Sequence, residues 1–163
     1  MRDGFVKIAA GTPKIKVADC MYNAEQIIAL MKEAAGQGVK VLSLPELCIT
    51  AYTCADLFLQ PTLLNGAEAA LAHILEETGN LDLLTAVGMP LRYQNKLFNC
   101  AVMILRGEIL GAIPKINIPN YTEFYEARWF TSSQDVYGEV PLCGQPVPLD
   151  ATLLFRCQEL PEL

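Results

Sequence analysis

Apolar residues follow two different spacings along the chain, and the change from one to the other predicts alternating strands and helices. Short apolar runs such as 39–44 are typical of buried strands, whereas apolar positions recur at helical spacing over 19–35. The predicted strands are 5–10, 39–44, 83–89, 97–105, 109–113 and 151–157, and the predicted helices are 19–35 and about 61–79. The leading order β-α-β-α-β-β-β indicates an α/β fold, in which parallel units joined by helices lead into an antiparallel extension of one mixed sheet.

The composition adds a size and a chemical character to this fold. A length of 163 residues suits one domain with a sizeable core, and residues 1–163 contain no internal repeat and no linker. Apolar residues make up 52% of the chain and the mean hydropathy is +0.28, which favours either covered sheet faces or apolar surface that meets a partner. A net charge of −6 without a Lys/Arg cluster argues against nucleic acid or an anionic membrane as that partner.

The cysteines point to a reduced compartment and not to a metal site. The six cysteines are scattered without Cys-x-x-Cys spacing, and the chain has a single histidine, so a zinc site is not expected. Several cysteines lie inside apolar runs, where a free thiol acts as a small hydrophobic group. No apolar run reaches the roughly 18–20 residues that a membrane span requires. We expect a cytoplasmic protein that binds no metal.

Two segments each place one ionisable side chain at the end of an apolar run. Glu46 follows the strand 39–44 and Lys115 follows the strand 109–113, each directly after a proline. Proline ends a strand, and ligands of α/β sheets bind where strands end. A carboxylate and an ammonium placed there can act as an acid/base group and an oxyanion-stabilising group. Position alone also allows a solvated loop glutamate and a surface lysine.

An aromatic segment runs from Tyr121 to Phe130. It interleaves five aromatic side chains with carboxylate and guanidinium groups, which suits the wall of a ligand pocket. The alternative is a loop whose rings cover the sheet while Glu126 pairs with Arg128. The residues alone leave both interpretations open.

The segments around Glu46 and Lys115 carry a family resemblance. Residues 44–50 read LPELCIT, and YTC and DLF follow at 52–54 and 56–58. Residues 111–115 read GAIPK, and PNY and EFYEAR follow at 119–121 and 123–128. These runs resemble the first and second motifs of the nitrilase (carbon–nitrogen hydrolase) superfamily, and LFNCA at 97–101 also looks familial. Within the superfamily, residues 5–157 most resemble the glutaminase domain of bacterial glutamine-dependent NAD synthetases, to which the run NYTEFYE at 120–126 is more specific.

The resemblance implies a Glu-Lys-Cys triad. A thiolate would attack the side-chain amide of glutamine, ammonia would leave for ATP-dependent NAD synthesis, and water would hydrolyse the thioester. Glu46 would be the general base, and Lys115 would hold the negative charge of the tetrahedral intermediate. The substrate-binding positions implied by the match are Tyr52, Tyr121, Phe124 and Glu126. Glu126 would also keep Lys115 charged and oriented.

The chain departs from the family pattern at the nucleophile. It has no Ile-Cys-Glu-Asp segment, which the resemblance places shortly beyond Leu163, and none of Cys48, Cys54 and Cys157 matches that motif. The synthetase domain is also missing, so ATP and Mg are expected only in that domain and no cofactor is expected in this chain. Residues 1–163 are therefore expected to be a single, incomplete glutaminase domain that is inactive alone.

The resemblance also implies the architecture. The superfamily builds a four-layer α-β-β-α sandwich, and this chain would supply its first half to two-thirds as a mixed sheet flanked by helices. A partial sandwich exposes apolar sheet surface, so we expect association with a missing segment or into a homo-oligomer. Ala51 and Ala55 stand where glycine is expected, at a cost on the order of 1 kcal/mol each if the backbone there needs φ > 0.

Two other functions stay open from the sequence. The chain could be complete and non-catalytic, a nitrilase-like module that binds a ligand or a partner. It could also be a fragment of another carbon–nitrogen hydrolase, such as an amidase or carbamoylase. The specific run at 120–126 argues against the latter.

Overall fold

The computed structural model describes residues 5–157, which form one mixed sheet with two helices. The strands are β1 (Ile8–Ala10), β2 (Val41–Ser43), β3 (Leu84–Tyr93), β4 (Lys96–Leu105), β5 (Glu108–Pro114), β6 (Tyr137–Leu142) and β7 (Gln145–Asp150). The helices are α1 (Cys20–Gly36) and α2 (Pro61–Thr78), and short 3₁₀ helices lie at Ala55–Leu59 and Glu126–Arg128. The predicted α/β class with a mixed sheet is confirmed.

Both helices begin where local chemistry favours it. The Asp19 carboxylate accepts the backbone N–H of Tyr22 at 3.2 Å and caps α1, and Pro61 occupies the first turn of α2, where its missing N–H costs nothing. Each helix buries one apolar stripe in the core, made of Ala24, Ile27, Ile28 and Met31 on α1 and Ala67, Leu71 and Ile74 on α2. Neither helix of residues 5–157 has the length and apolar character needed to cross a membrane.

The sheet has the strand order β1-β2-β3-β4-β5-β7-β6. The helical crossovers make β1, β2 and β3 parallel, and two tight hairpins then make β3, β4 and β5 antiparallel. Both hairpin turns use two residues with positive φ, Gln94 and Asn95 at 48° and 61°, and Arg106 and Gly107 at 51° and 81°. Positive φ at both central residues is the mark of a type I′ turn, which matches the twist of the strands it joins.

The helices cover one face of the sheet. On that face Val87 of β3 lies opposite Val102 of β4, and both are fully buried. Side chains alternate along a strand, so the neighbouring residues Ala86, Ala101 and Met103 point to the other face, where they are only partly buried. The described chain thus has one helical layer and one sheet layer. Association through the second sheet face stays a prediction.

The predicted strand at 151–157 is wrong. No strand forms there, and the chain instead makes the hairpin β6–β7 just before it, which pairs with β5 at Ala112 and Leu149. The prolines at 141, 146 and 148 and the glycine at 144 favour a loop when the sequence is considered alone. Pro141 is tolerated because β6 is an edge strand of the sheet, whereas Pro146 and Pro148 lie on β7, whose pairing with β5 is at Leu149.

Candidate active site

Glu46 lies on a short excursion between two backbone bonds to β3. The Leu44 N–H donates to the Ala86 carbonyl at 3.1 Å, and the Ile49 N–H donates to the Gly88 carbonyl at 3.2 Å. The segment after β2 is therefore hydrogen-bonded to β3 at Leu44 and again at Ile49, although the two acceptor residues on β3 are only two positions apart. The four residues in between form a turn that raises Glu46 above the sheet, with its side chain 40% exposed.

This turn lies so close to β3 that only glycine fits beneath it. A Cβ added at Gly88 would lie 2.5 Å from the Pro45 carbonyl oxygen and 2.9 Å from the carbonyl carbon of Glu46. Leu47, the residue after Glu46, is fully buried with φ at +53°, a left-handed conformation that is uncommon for a leucine. Backbone packing on both sides of Glu46 thus fixes where its carboxylate can go.

Lys115 follows β5 and reaches two carboxylates at once. Its backbone N–H donates to the Asn99 carbonyl on β4 at 2.8 Å, which extends the β4–β5 pairing by one residue. Its Nζ donates to Glu46 Oε1 at 2.8 Å and to both Glu126 oxygens at 3.1 and 3.2 Å. Desolvation at this site acts to lower the pKa of Lys115, but the bonds to Glu46 and Glu126 outweigh it and raise the pKa. Lys115 is therefore held as an ammonium.

Glu126 is the buried member of this group. Its side chain is only 3% exposed, and it sits in the 3₁₀ helix Glu126–Arg128, anchored by a bond from its N–H to the Pro119 carbonyl at 3.2 Å. The Tyr52 hydroxyl donates to Glu126 Oε1 at 2.6 Å. Desolvation, and then the bond to Glu126, raise the pKa of Tyr52, so the phenol stays protonated. Glu126 thus connects the second motif to the loop around Tyr52, which follows the first motif.

A cleft of about 160 Å³ opens beside Glu126. Its walls are Tyr52, Thr53 and Ala55 on one side and Glu123, Phe124, Tyr125, Glu126 and Trp129 on the other. Of the four predicted substrate-binding residues, Tyr121 is the one that does not line this cleft. Tyr121 is 64% exposed, and its ring packs edge-on against Phe124, with 5.7 Å between ring centroids. A larger open groove at the start of both helices, lined by Met21 and Leu57 among others, includes none of the predicted site residues.

Hydrogen bonds between Asp56 and the aromatic segment connect the two walls of the cleft. Arg128 donates two bonds to the Asp56 carboxylate, from Nε at 2.6 Å and Nη2 at 2.8 Å, and the Trp129 indole N–H donates a third at 2.9 Å. The bonds from Arg128, then that from Trp129, lower the pKa of Asp56. The alternative pairing of Arg128 with Glu126 is wrong, because Arg128 turns outward to Asp56 while Glu126 points inward to Lys115. The pocket-wall interpretation of the aromatic segment fits this arrangement.

Asn99 is a member of the site that the sequence-based prediction missed. It lies in the middle of β4 and is only 3% exposed, and its side-chain amide donates a short hydrogen bond to Glu46 Oε1. The large majority of buried polar side chains are hydrogen-bonded. The sequence signal that could have indicated this contact is a polar residue inside the apolar run 97–105, which needs a hydrogen-bond partner when buried.

The cysteines of the described chain form no hydrogen bond with this cluster. Cys48 and Cys100 are 1% exposed, and burial raises the pKa of Cys48 to about 11 and raises that of Cys100 further. Burial likewise raises the pKa of Cys54. Within residues 5–157 no cysteine forms a hydrogen bond with Glu46 or Lys115, and no cluster of His, Cys, Asp or Glu is arranged to hold a metal ion. The expected nucleophile position beyond Leu163 falls outside the described residues.

Ala51 and Ala55 adopt the backbone conformation that glycine favours. Their φ angles are +71° and +49°. The backbone at both positions therefore needs φ > 0, and the methyl group of each alanine costs on the order of 1 kcal/mol relative to glycine. The two residues flank Tyr52, so the strain lies in the loop that forms one wall of the cleft.

Comparison with known proteins gives one family and one group of relatives. A family profile described as carbon-nitrogen hydrolase matches residues 7–147. Glutamine-dependent NAD(+) synthetase of Mycobacterium tuberculosis is 34% identical over 158 residues, which are 97% of this chain and 23% of that protein. The protein of the same name from Aquifex aeolicus is 36% identical over 119 residues, or 73% of this chain and 21% of that protein. The chain thus spans about a quarter of the length of these relatives.

The solved structures agree in fold. A glutamine-dependent NAD(+) synthetase from Cytophaga hutchinsonii superposes with a TM-score of 0.86 at 26% identity, covering 94% of this chain and 26% of that one. An amidase from Nesterenkonia sp. superposes with a TM-score of 0.69 over 91% of this chain and 56% of its own, at 18% identity, and shows the shared fold alone.

Proposed function

The chain belongs to the carbon–nitrogen hydrolase family, and from that premise we propose that it is the part of a glutamine amidohydrolase domain that supplies the general base and the oxyanion holder. The observation that carries the proposal is the position of Lys115 Nζ between Glu46 and Glu126, at 2.8 and 3.1 Å. Three separate segments bring these groups together. The relatives at 34–36% identity, named for a glutamine-dependent synthetase, support glutamine as the substrate.

In this proposal Glu46 moves the proton. One carboxylate oxygen takes the proton of an incoming thiol, and the sulfur then attacks the side-chain carbonyl carbon of glutamine. The same carboxyl group gives the proton to the leaving nitrogen, so that the C–N bond breaks and ammonia departs. A water molecule then hydrolyses the thioester, releasing glutamate and restoring the thiol.

Lys115 stabilises the charge that forms in between. Its ammonium has three N–H donors, and we propose that one is directed to Glu46 while a second is shared by the two Glu126 oxygens, which Nζ contacts at similar distances. The third is free for the oxyanion of the tetrahedral intermediate. One such donor is worth on the order of a hundred- to a thousandfold in rate. Because Glu126 is buried and also accepts a hydrogen bond from Tyr52, it keeps the ammonium in place.

The cleft lined by Tyr52, Phe124 and Glu126 is proposed to receive the glutamine side chain, with Tyr121 at its outer rim. The nucleophile is proposed to come from outside residues 5–157, because Cys48, Cys54 and Cys100 are buried thiols and no cysteine of the described residues is hydrogen-bonded to Glu46 or Lys115. These 163 residues are therefore proposed to be inactive alone. ATP and Mg are proposed to act only on a synthetase domain that these residues do not include.

The test is a chimera in which this chain replaces the 158 matched residues of the Mycobacterium tuberculosis protein. NAD formation is measured with glutamine and, separately, with ammonium, which bypasses amide hydrolysis. We expect glutamine-dependent NAD formation that falls about a hundredfold or more in Glu46→Gln and in Lys115→Met, with ammonium-dependent formation unchanged.

Glu139→Gln is the matched control, because Glu139 is an exposed glutamate on β6 away from the cluster. Its variant should behave as the unmodified chimera does. A chimera that uses ammonium but never glutamine would contradict the proposal, as would a Glu46→Gln variant with full glutamine-dependent activity.

A further inference from the structure

Among residues 5–157, Asn99 is the one buried side-chain amide that donates to Glu46. Asn99 lies within β4, opposite Pro90 of β3, and is 3% exposed. Its backbone carbonyl accepts the Lys115 N–H at 2.8 Å while its side-chain amide donates to Glu46. One residue therefore contacts both members of the proposed acid/base and oxyanion pair, through two different groups.

The two oxygens of Glu46 have unequal surroundings. Asn99 Nδ2 and Lys115 Nζ both donate to Oε1. Among residues 5–157, no donor is directed to Oε2, and the Glu46 side chain is 40% exposed. An oxygen that already accepts two strong hydrogen bonds is the poorer proton acceptor, and the one without donors is the better base.

We propose that Asn99 is a positioning residue that fixes the orientation of the Glu46 carboxylate, so that Oε2 is the oxygen that takes and returns the proton. The inference rests on the proposed role of Glu46 as the general base. Without the amide, Lys115 is the only group among the described residues that holds the carboxylate. Rotation about the last side-chain bond can then bring either oxygen to Lys115. The productive orientation is then populated for only part of the time.

Two consequences separate this role from simple support of the fold. Asn99 lies beneath Glu46 and lines no part of the cleft, so its loss should lower kcat without changing the KM for glutamine. The bond from Lys115 to Asn99 uses the backbone carbonyl and survives a side-chain substitution. A side-chain variant therefore tests the amide alone.

The first experiment uses the 163-residue chain itself, labelled with ¹⁵N for NMR. The Asn99 side-chain amide signals are assigned by their absence from the spectrum of Asn99→Leu. A proton donated to a carboxylate is expected at low field in the unmodified chain and in Glu126→Gln, and shifted to higher field in Glu46→Gln. An Asn99 signal that does not respond to Glu46→Gln would overturn the inference.

The second experiment uses the chimera that retains glutamine-dependent activity. We expect Asn99→Leu to lower the glutamine-dependent kcat by about a hundredfold, the scale of a misplacement of about 1 Å, with KM and ammonium-dependent activity within about twofold. Thr78→Val is the control, since Thr78 is 3% exposed and its hydroxyl donates to the Ile74 carbonyl at 2.6 Å, within α2. Equal kcat in Asn99→Leu and the unmodified chimera would refute the positioning role.

Asn99→Asp provides a signature in pH that covers the case in which the leucine variant does not fold. The introduced carboxyl group can donate to Glu46 only when protonated, so the deficit of this variant should shrink as the pH falls. A deficit independent of pH would count against the inference. A chimera that never uses glutamine defeats the proposed function, whereas the NMR result still decides whether the Asn99 amide holds Glu46.

Discussion

Replacing Lys115 by methionine removes one ammonium from between two carboxylates of unequal burial. The Glu126 side chain is 3% exposed and the Glu46 side chain is 40% exposed, while Lys115 Nζ lies within 3.1 Å of both. Removing one partner of a buried ion pair costs about 3–5 kcal/mol, because a charge stays buried without compensation. Exposed pairs contribute only about 0.2–1 kcal/mol. Methionine keeps most of the packing of the lysine stem, so the change isolates the charge.

The expected outcome is an asymmetric pair of couplings. Lys115→Met should lower the free energy of unfolding by about 3 kcal/mol, and adding Glu126→Gln should restore most of that loss. The coupling of Lys115 to Glu126 should be about 2 kcal/mol, against less than about 1 kcal/mol for its coupling to Glu46.

Urea unfolding at neutral pH measures these couplings, followed by circular dichroism and by the fluorescence of Trp129, the single tryptophan. The exposed pair Lys32–Glu77, at 48% and 46% side-chain exposure, is the control and should couple by a few tenths of a kcal/mol. Equal couplings of Lys115 to the two glutamates would show that burial does not set their strength. So would a Lys115→Met variant as stable as the unmodified chain.

Three further outcomes test other parts of the site. Ala55→Gly should raise the free energy of unfolding by about 0.5–1 kcal/mol, since Ala55 is exposed with φ at +49°. Ala51→Gly should give no gain in stability, because it also removes a buried methyl group worth about 0.8 kcal/mol. Equal effects of the two substitutions in urea unfolding would contradict this difference. Gly88→Ala should destabilise by about 1–3 kcal/mol and lower the glutamine-dependent kcat of the chimera, because the methyl group displaces the turn above it; unchanged stability and kcat would refute that close contact. The pKa of Lys115 is raised above its ordinary value of 10.5, so its stabilisation is complete below pH 10.5 and is lost as the pH rises through the folded-state pKa. Unfolding curves measured against pH should therefore fall less steeply in alkali for Lys115→Met than for the unmodified chain, and parallel curves would show that Lys115 is not the cause.

Much of the framework could be predicted because it is encoded locally. Helix α1 has an apolar stripe and the Asp19 cap, and α2 starts at Pro61, so their bounds follow from short-range chemistry. The position of Lys115 at a strand end also follows from the proline before it. Local signals failed for the β6–β7 hairpin, because its prolines favour a loop. The hairpin is stabilised by pairing with the neighbouring strand β5, which the local sequence does not indicate.

The contacts of the site depend on long-range register that no local pattern specifies. Arg128 pairs with Asp56, 72 positions away, and not with its near neighbour Glu126. Asn99 reaches Glu46 across 53 positions, because the antiparallel register of β3 and β4 brings the middle of β4 beneath the turn. A polar residue in an apolar strand signals that a partner exists, but the fold decides which partner it is.

Formation of the thioester in a single turnover shows whether Glu46 and Lys115 of this chain activate a thiol and hold an oxyanion. The chimera is mixed with a limiting amount of labelled glutamine, quenched in acid, and analysed for covalently bound glutamyl group and released ammonia. We expect one ammonia for each glutamyl thioester formed, at a rate that falls about a hundredfold or more in both Glu46→Gln and Lys115→Met. Thioester formation at the unmodified rate in either variant would show that the replaced residue does not have the proposed role.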